Sequence, residues 1–562
     1  MKEKRMIEEI NDVVIDKNKL VFIPIGGATG VGMNCFAYGY KGKWLIVDLG
    51  VGFPGDGLPG VDVLLPDVSF LEKNKKDILG LVITHAHEDH LGAVGLLWRS
   101  LQCPIYASPF AAELLESKLV ENGLLGRAEV NVCGLNSVID LDPFEVEFVS
   151  MSHSIPEANA LRIKTNKGVV LHTGDWKLVP DTVLMQKTDE KRLKEIGKEG
   201  VLALVCDSTN VFSGENKLTE TDVQKELEKL IAKYDGKQIA VACFASNVSR
   251  VKSIYHAAKK NNRQVCLLGR SLWRMDAAAR ACGYFDDIPE FLSESEALEL
   301  PHGSVLFICT GSQGEPRSAL SNLSALTPQK NSVFFAPGDV VIFSSRIIPG
   351  NEKAIALLQK RFKTKDVEIV TNKDADIHVS GHFSGKDLQQ MYKWIKPEIA
   401  LPVHGEAREL NEHVNLALKW GAKHAYALED GEVLVLDEKP KILGQVESGI
   451  LAVDGKKILS LGAEVIRKRR KMIEDGTLVV TLVLDGEGTV LNQPKISSFG
   501  LIETGCEDEV RLQKEIVSEV QKLEDDTLRD DLVENAVRTA VRRFLKEFYG
   551  KKPLIEVHLV RI

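Results

Sequence analysis

The 562-residue sequence predicts an α/β protein in which a metal-binding domain is interrupted by an inserted parallel α/β domain and followed by a small α+β domain. Three observations predict this. The segment Thr84-His85-Ala86-His87-Glu88-Asp89-His90 lies between an apolar run, 78–83, that reads as a buried strand and a run, 91–98, that reads as a helix. Further strand-like runs end on His153, Asp175, Asp207 and His404. Between the last two, residues 214–372 carry a strand–helix rhythm of their own, and from about residue 450 the texture changes again.

The histidine segment is the centre of the reading. Chemistry in open α/β sheets sits at the C-terminal ends of strands. Three histidines and an aspartate within six positions suit metal ligation better than packing. His85 and His87 project to one side of an extended segment, and Asp89 and His90 point towards a second metal.

Composition limits the alternatives. Hydrophobic residues make up 44% of the chain, enough for large cores, and the length predicts three or four domains. No window approaches the roughly 20 apolar residues of a membrane helix. Residues 1–9 carry charges of both signs and no apolar core, so they do not read as a signal peptide. The nine cysteines are odd in number and never form Cys-x-x-Cys. They read as reduced core thiols, which predicts a cytoplasmic protein. A net charge of −9 argues against non-specific coating of nucleic acid, but not against a cleft that grips a few phosphates.

In chain order, 20–25 is a strand, and the glycine-rich 26–34 leads to another strand, 35–40, so a hairpin is expected there and not a dinucleotide loop. The strand 44–48 ends on Asp48, placed to buttress a ligand histidine. From the histidine segment to about 207 the chain is expected to alternate strands and helices. His153 follows His90 by 63 positions (153 − 90), and Asp175 follows His153 by 22 (175 − 153). His404 lies 229 positions beyond Asp175 (404 − 175), so a whole domain must be inserted between them. In that insert, turns such as Ser246-Asn247-Val248 place Ser, Asn or Gly at helix N-termini, where free backbone N–H groups suit anions. The turn His378-Val379-Ser380-Gly381-His382 returns the chain to the metal domain and also suits phosphate oxygens. Near the end, the basic run 467–471 reads as a solvated helix face that could touch RNA.

His85-x-His87-x-Asp89-His90 resembles the signature of the metallo-β-lactamase superfamily. With the insert, the motifs Ser152-His153-Ser-Ile-Pro156, His172-Thr-Gly-Asp175, Asp207-Ser-Thr-Asn210, Phe244-Ala-Ser-Asn247, 310–316, Ile348-Pro-Gly-Asn351, His378–His382 and Pro402-Val-His404 resemble the ribonuclease J family of β-CASP nucleases. One departure is the turn 26–34, which lacks the acidic residue usual in relatives. The resemblance implies a metallo-β-lactamase αββα sandwich (19–213 and 373–445), a β-CASP domain (214–372) and a C-terminal domain (446–562). It implies one zinc on His85, His87 and His153 and another on Asp89, His90 and His404, bridged by Asp175, with Mn²⁺ or Mg²⁺ able to substitute. It assigns Asp207 and His382 to catalysis, and Ser246, Asn247, Val248 and His378, Val379, Ser380, Gly381 and His382 to substrate phosphates. A structural calcium is implied at Pro59, Val61 and Asp454. The activity implied is 5′→3′ exonuclease and endonuclease cleavage of single-stranded RNA, preferably 5′-monophosphorylated, in mRNA decay and rRNA maturation. A homodimer or homotetramer, with RNA-degradation or ribosome-associated partners and no membrane, is the matching expectation.

Other readings explain less. A small-molecule metallo-hydrolase accounts for the metal segment but not the insert. A diiron oxidoreductase should carry a carboxylate in place of His87 or His153, and a flavin domain. A catalytically dead scaffold would not keep seven ligands, while a β-CASP nuclease that is endonuclease only stays open as an alternative, because the sequence does not give the balance of the two activities.

Overall fold

The computed structural model describes residues 13–55, 57–214, 218–325, 333–523 and 529–562; the signal-peptide reading of residues 1–9 lies outside them. The chain divides into two compact units, residues 1–53 with 64–450 and residues 54–63 with 451–562.

The first unit is built on two sheets packed face to face. One has eight strands in the order 441–445, 432–435, 21–26, 35–40, 43–47, 78–82, 105–107, 130–132. The other has seven, in the order 424–425, 399–403, 203–207, 168–172, 159–165, 144–150, 138–141. Phe22, Phe36 and Tyr38 of the first meet Phe144, Phe148, Leu161 and Leu401 of the second in a dry core. Burial of each such side chain contributes ~1.5–3 kcal/mol. Helices Glu190–Glu199 and Gly385–Ile395 cover the outer face of the seven-stranded sheet through Leu193, Ile196, Leu388 and Met391. The helix Pro109–Glu121 packs beside the strand Val130–Val132 of the other. The result is the expected αββα sandwich.

Inserted between Asp207 and His404 is a five-stranded sheet, all parallel, in the order 264–268, 305–309, 239–242, 340–343, 368–370. Its strands are continuous apolar runs such as Val305–Cys309, buried throughout, as helices on both faces require. In the second unit, every other residue of Thr477–Leu484 is buried, and Leu478, Val480, Leu482 and Leu484 pack on helices Glu507–Val520 and Asp530–Tyr549.

Two expectations are corrected. Residues 138–172 do not alternate strand and helix; they form four consecutive antiparallel strands. Two of their links, Asp142-Pro143 and Asn166-Lys167, are too short to hold a helix, and the third, 151–158, carries His153 without forming one. The helix expected at 91–98 runs from Val94 to Leu101, and a separate turn, Glu88–Leu91, precedes it. The N–H of Ala93 donates to Leu49 O at 3.0 Å, and this breaks the helix. The nine cysteines are all free thiols, and among the described residues no helix is long and apolar enough to cross a membrane.

Candidate metal centre and substrate cleft

The strand Ile78–Val82 delivers Thr84 and His85 to its C-terminal end, fully buried. His87 is extended (φ −70°, ψ 150°) and caps the short helix Glu88–Leu91, which carries Asp89 and His90. Asp89 and His90 therefore project from a helical turn and His85 and His87 from the extended segment, which separates the two pairs. Gly50 makes this possible, because a Cβ there would lie 1.7 Å from Asp89 O.

His85, His87, His153 and Asp175 form one group of candidate ligands, and Asp89, His90, Asp175 and His404 a second. Within each group the ligand atoms lie within 4.8 Å of one another. His87 Nδ1 lies 3.1 Å from His85 Nε2 and 3.0 Å from His153 Nε2. The carboxylate of Asp175 sits between the groups, Oδ1 3.4 Å from His90 Nε2, and Oδ2 3.5 Å from His404 Nε2, 3.7 Å from His153 Nε2 and 3.8 Å from His85 Nε2.

The outer ring nitrogens are occupied. His90 Nδ1–H donates to Asp48 Oδ2 at 2.7 Å. Thr84 Oγ1 donates to the same oxygen at 2.8 Å and lies 2.9 Å from His85 Nδ1. His153 Nδ1–H donates to Gly381 O at 2.7 Å, and His404 Nδ1 lies 2.9 Å from Asn34 Nδ2 and 3.1 Å from Asn34 Oδ1. These partners turn the Nε2 lone pairs of His85, His90, His153 and His404 inward, as ligand-orienting contacts do. The expected buttress, Asp48, thus serves two histidines. Asp48 (φ +61°) and His404 (φ +55°) both hold left-handed backbone, uncommon outside glycine though Asp and His adopt it more readily than most. Hydrogen bonds from Asp48 N to Val82 O (2.9 Å) and from His404 N to Gly27 O (3.0 Å) enforce it.

The residues fit a divalent metal. Burial holds His85 and His153 well below the usual histidine range and His87 at about 4, so these rings are neutral. Burial pushes Asp175 up, but His404, His90 and His382 outweigh it and hold the carboxylate ionised. Neutral imidazoles and ionised carboxylates are the ligating forms, and His90, whose burial is outweighed by Asp175, Asp89 and Asp48 so that it sits well above the usual histidine range, would give up its proton to a bound metal. Asp175 Oδ1 is buried with no hydrogen-bond partner, an acceptor that only a cation or water could satisfy.

Beside the ligands, His382 Nδ1–H donates to Asp207 Oδ2 at 2.8 Å, and the N–H and hydroxyl of Thr209 both donate to Asp207 Oδ1 at 2.8 Å. Burial pushes His382 down, but Asp207 and Asp175 outweigh it and raise it to about 9. Gly381 approaches closely, because a Cβ there would lie 3.0 Å from His153 Cε1. Ser380 Oγ accepts from Asn210 Nδ2 at 3.0 Å and from His382 N at 3.1 Å. His378 Nδ1 is buried without a partner and Val379 is buried.

Asn247 caps the helix Val248–Lys260, its side chain accepting from Arg250 N at 2.9 Å, and Ser246 precedes it, half-buried. Arg250, on the same helix and fully buried, donates to Ser344 O at 2.8 Å and to Ile377 O at 3.1 Å, and pairs with Glu220 through Nε at 2.6 Å and Nη2 at 3.0 Å. The two turns expected to meet phosphates are therefore pinned to each other.

In the second unit, Asp454 Oδ2 pairs with Arg469 Nη2 at 2.8 Å, and a Cβ on Gly60 would lie 2.8 Å from Arg469 Nη1. A guanidinium thus stands beside Asp454 and the Pro59–Val61 turn. The basic run 467–471 lies on the helix Glu464–Asp475, where Lys468 pairs with Glu464 and Arg470 donates to Gly57 O.

Sequence reasoning missed Asn34, Lys177, Glu220 and Arg250. Asn34 ends the glycine-rich turn directly before a strand, and Lys177 follows Asp175 by two, so position was a signal for both. Glu220 and Arg250 carried none.

Comparison with known proteins follows the same lines. Residues 28–193 match the family described as Metallo-beta-lactamase superfamily, 236–361 that described as Ribonuclease J, beta-CASP domain, 367–428 the Zn-dependent metallo-hydrolase RNA specificity domain, and 464–562 the Ribonuclease J C-terminal domain. The chain is 40% identical to a Ribonuclease J of Sinorhizobium meliloti over 97% of its own length and 98% of the relative's. It is 34% identical to a Ribonuclease J 1 of Streptococcus pyogenes over 97% and 98%, and 35% identical to a Ribonuclease J of Mycolicibacterium smegmatis over 96% of each. A crystal structure of a protein of unknown function from Enterococcus faecalis shares the fold, with a TM-score of 0.52 at 18% identity, covering 74% of this chain and all of that one.

Proposed function

This chain belongs to the ribonuclease J family and is a ribonuclease of the metallo-β-lactamase superfamily; from that premise we propose that it hydrolyses single-stranded RNA with two zinc ions, as a 5′→3′ exonuclease and an endonuclease. Its roles on this reading are mRNA decay and rRNA maturation in the cytoplasm. The observation that carries the reading is Asp175, a buried carboxylate shared by two groups of ligands, with one oxygen unpartnered.

His85, His87 and His153 would hold one ion, and Asp89, His90 and His404 the other, with Asp175 between them. A zinc pair held there would lower the pKa of water from 15.7 towards about 7 and would neutralise charge on a phosphodiester, and manganese or magnesium could take its place chiefly in the second of these roles. The chain's own residues supply the rest. Asp48, Thr84, Asn34 and Gly381 O fix the ligand rings. Asp207 orients His382 through Nδ1, which leaves Nε2 to give a proton to the leaving 3′ oxygen. Ser246, Asn247 and Val248, at a helix N-terminus, with His378, Val379, Ser380, Gly381 and His382, receive substrate phosphates. A terminal monophosphate carries nearly two negative charges and several acceptors, and a 5′ hydroxyl leaves those donors unpaired.

The domain division at 19–213 with 373–445, 214–372 and 446–562 belongs to the same reading, as does a homodimer or homotetramer with RNA-degradation or ribosome-associated partners. A calcium ion at Pro59, Val61 and Asp454 requires Asp454 to release Arg469. Metal analysis, run beside decay of 5′-labelled RNA, tests the proposal. Two ions per chain and shortening of 5′-monophosphorylated RNA from its 5′ end are expected. Full activity with one ion, or equal internal cutting of RNA with 5′ monophosphate, triphosphate and hydroxyl ends, overturns it.

A further inference from the structure

Beside His382 lies a cavity of about 90 Å³, lined among others by Lys177, Asn210, Arg346 and Ser380. Lys177 is only 6% exposed, and its ammonium has one hydrogen bond, a long one of 3.5 Å to Ser380 O. A buried ammonium needs a charge partner or several acceptors. The acids nearest in its field, Asp181 and Glu220, are committed elsewhere. Asp181 accepts from the hydroxyl of Ser249 and the N–H groups of Val183 and Leu184. Both oxygens of Glu220 accept from Arg250. His378 Nδ1 is buried without a partner. Burial first, and then the charges of Arg250, Arg346 and Lys177, push His378 down to about 3. Asp387, the carboxylate in the cavity's lining, accepts from the N–H of Ser384 at 2.9 Å.

We propose that Lys177 is a phosphate-binding residue, which with Arg346 and Asn210 takes one phosphate group of the RNA in this cavity. The inference rests on the RNA reading above and adds residues to the phosphate contacts assigned there. The chemistry selects the ligand. Cations exclude a metal, and a tetrahedral anion can accept from an ammonium, a guanidinium fork and the Ser380 hydroxyl together. Asn210 Oδ1 already lies 3.3 Å from Arg346 Nη1, so the guanidinium is held at the cavity. Lys177 follows Asp175 by two residues, so a short stretch of backbone ties the gripped phosphate to the candidate metal ligand.

The test uses the metal-loaded, full-length protein and K177M. Its KM for 5′-monophosphorylated single-stranded RNA should rise tenfold or more with metal content unchanged. The slope of log affinity against log salt should fall by about 0.7, the value of one single-strand phosphate contact. A purely structural role would not move that slope. Circular and 5′-hydroxyl RNA separate the sources: an effect confined to 5′-monophosphate RNA assigns the terminal phosphate, and an equal effect on all three assigns an internal one. A second measurement needs no RNA cleavage. A nucleoside 5′-monophosphate should raise the melting temperature of the wild type and not of K177M, so the subsite can stand even where the ribonuclease reading fails. Unchanged KM and salt slope in K177M, or equal stabilisation of both proteins, overturns the proposal. Should K177M not fold, R346Q, an exposed side chain on the same cavity, takes its place: the same rise in KM and fall in salt slope support the proposal, and their absence overturns it.

Discussion

At the scale of single residues, the candidate centre depends on buried groups that stand behind its histidines. Asp48 fixes His90 directly and His85 through Thr84. Asp48→Asn should weaken metal binding roughly 10–100-fold, read by competition with a chelator. His382→Ala should lower kcat roughly 10²–10⁴-fold with metal retained, and an unchanged single-turnover rate would return His382 to a structural role. His413 gives a pH prediction. It is fully buried between Ser208 Oγ (2.8 Å) and Tyr392 OH (3.0 Å), and burial pushes it down to about 3. The unfolded chain binds this proton near pH 6.5 and the folded chain does not, so stability is full above about 6.5 and is lost as pH falls towards 3. Denaturant titrations at pH 7 and pH 5 should show His413→Gln losing about 1.4 kcal/mol less per pH unit than wild type below 6.5. The seven ligand candidates could be picked out in the sequence because four crowd into residues 85–90 and the other three follow strand-like runs at superfamily spacing. Asn34 could not, because one amide after a run of glycines reads as an ordinary turn.

At the scale of elements, the helix Val248–Lys260 and the return segment before His378 are joined by Arg250 and Glu220. Both are buried, so removing one partner strands a charge. Glu220→Ala should cost roughly 3–5 kcal/mol of stability, measured by denaturant unfolding. A loss under 1 kcal/mol would show that water reaches Arg250 and that the pair does not clamp the turns. Strands of the insert were readable because they are continuous apolar runs such as Ile239–Ala242 and Val305–Cys309, each buried throughout. The meander of 138–172 was not, because its turn residues were weighed less than the alternation expected around it. The pairing of Arg250 with Glu220 joins positions 30 apart that share no motif.

At the scale of the molecule, the two units have separate cores. Phe22, Phe148 and Leu161 belong to the first unit, and Leu482, Ile516 and Phe544 to the second. A metal that binds only folded protein stabilises by mass action. Chelation should therefore abolish activity and lower the melting temperature of the first unit, while the transition of the second stays in place, as followed by calorimetry. A single transition that moves as a whole would mean the units unfold together. The order of layers was legible, since the insert had to fill the 229 positions between Asp175 and His404 (404 − 175). The division at residues 54–63, which join the second unit, was not, since a short turn carries no pattern that reveals its distant partner.

The late arrival of His404 sets a clock during synthesis. A ribosome adding about 5–20 residues per second needs roughly ten to fifty seconds to travel from Asp175 to His404. Throughout that interval the nascent chain holds at most six of its seven candidate ligands and lacks the last. The second ligand group cannot close until the inserted sheet has left the exit tunnel and brought the strand Ile399–Val403 home. If both ligand groups are needed for cleavage, a ribonuclease assembled in this order would be inert for most of the time it stays tethered to its own messenger.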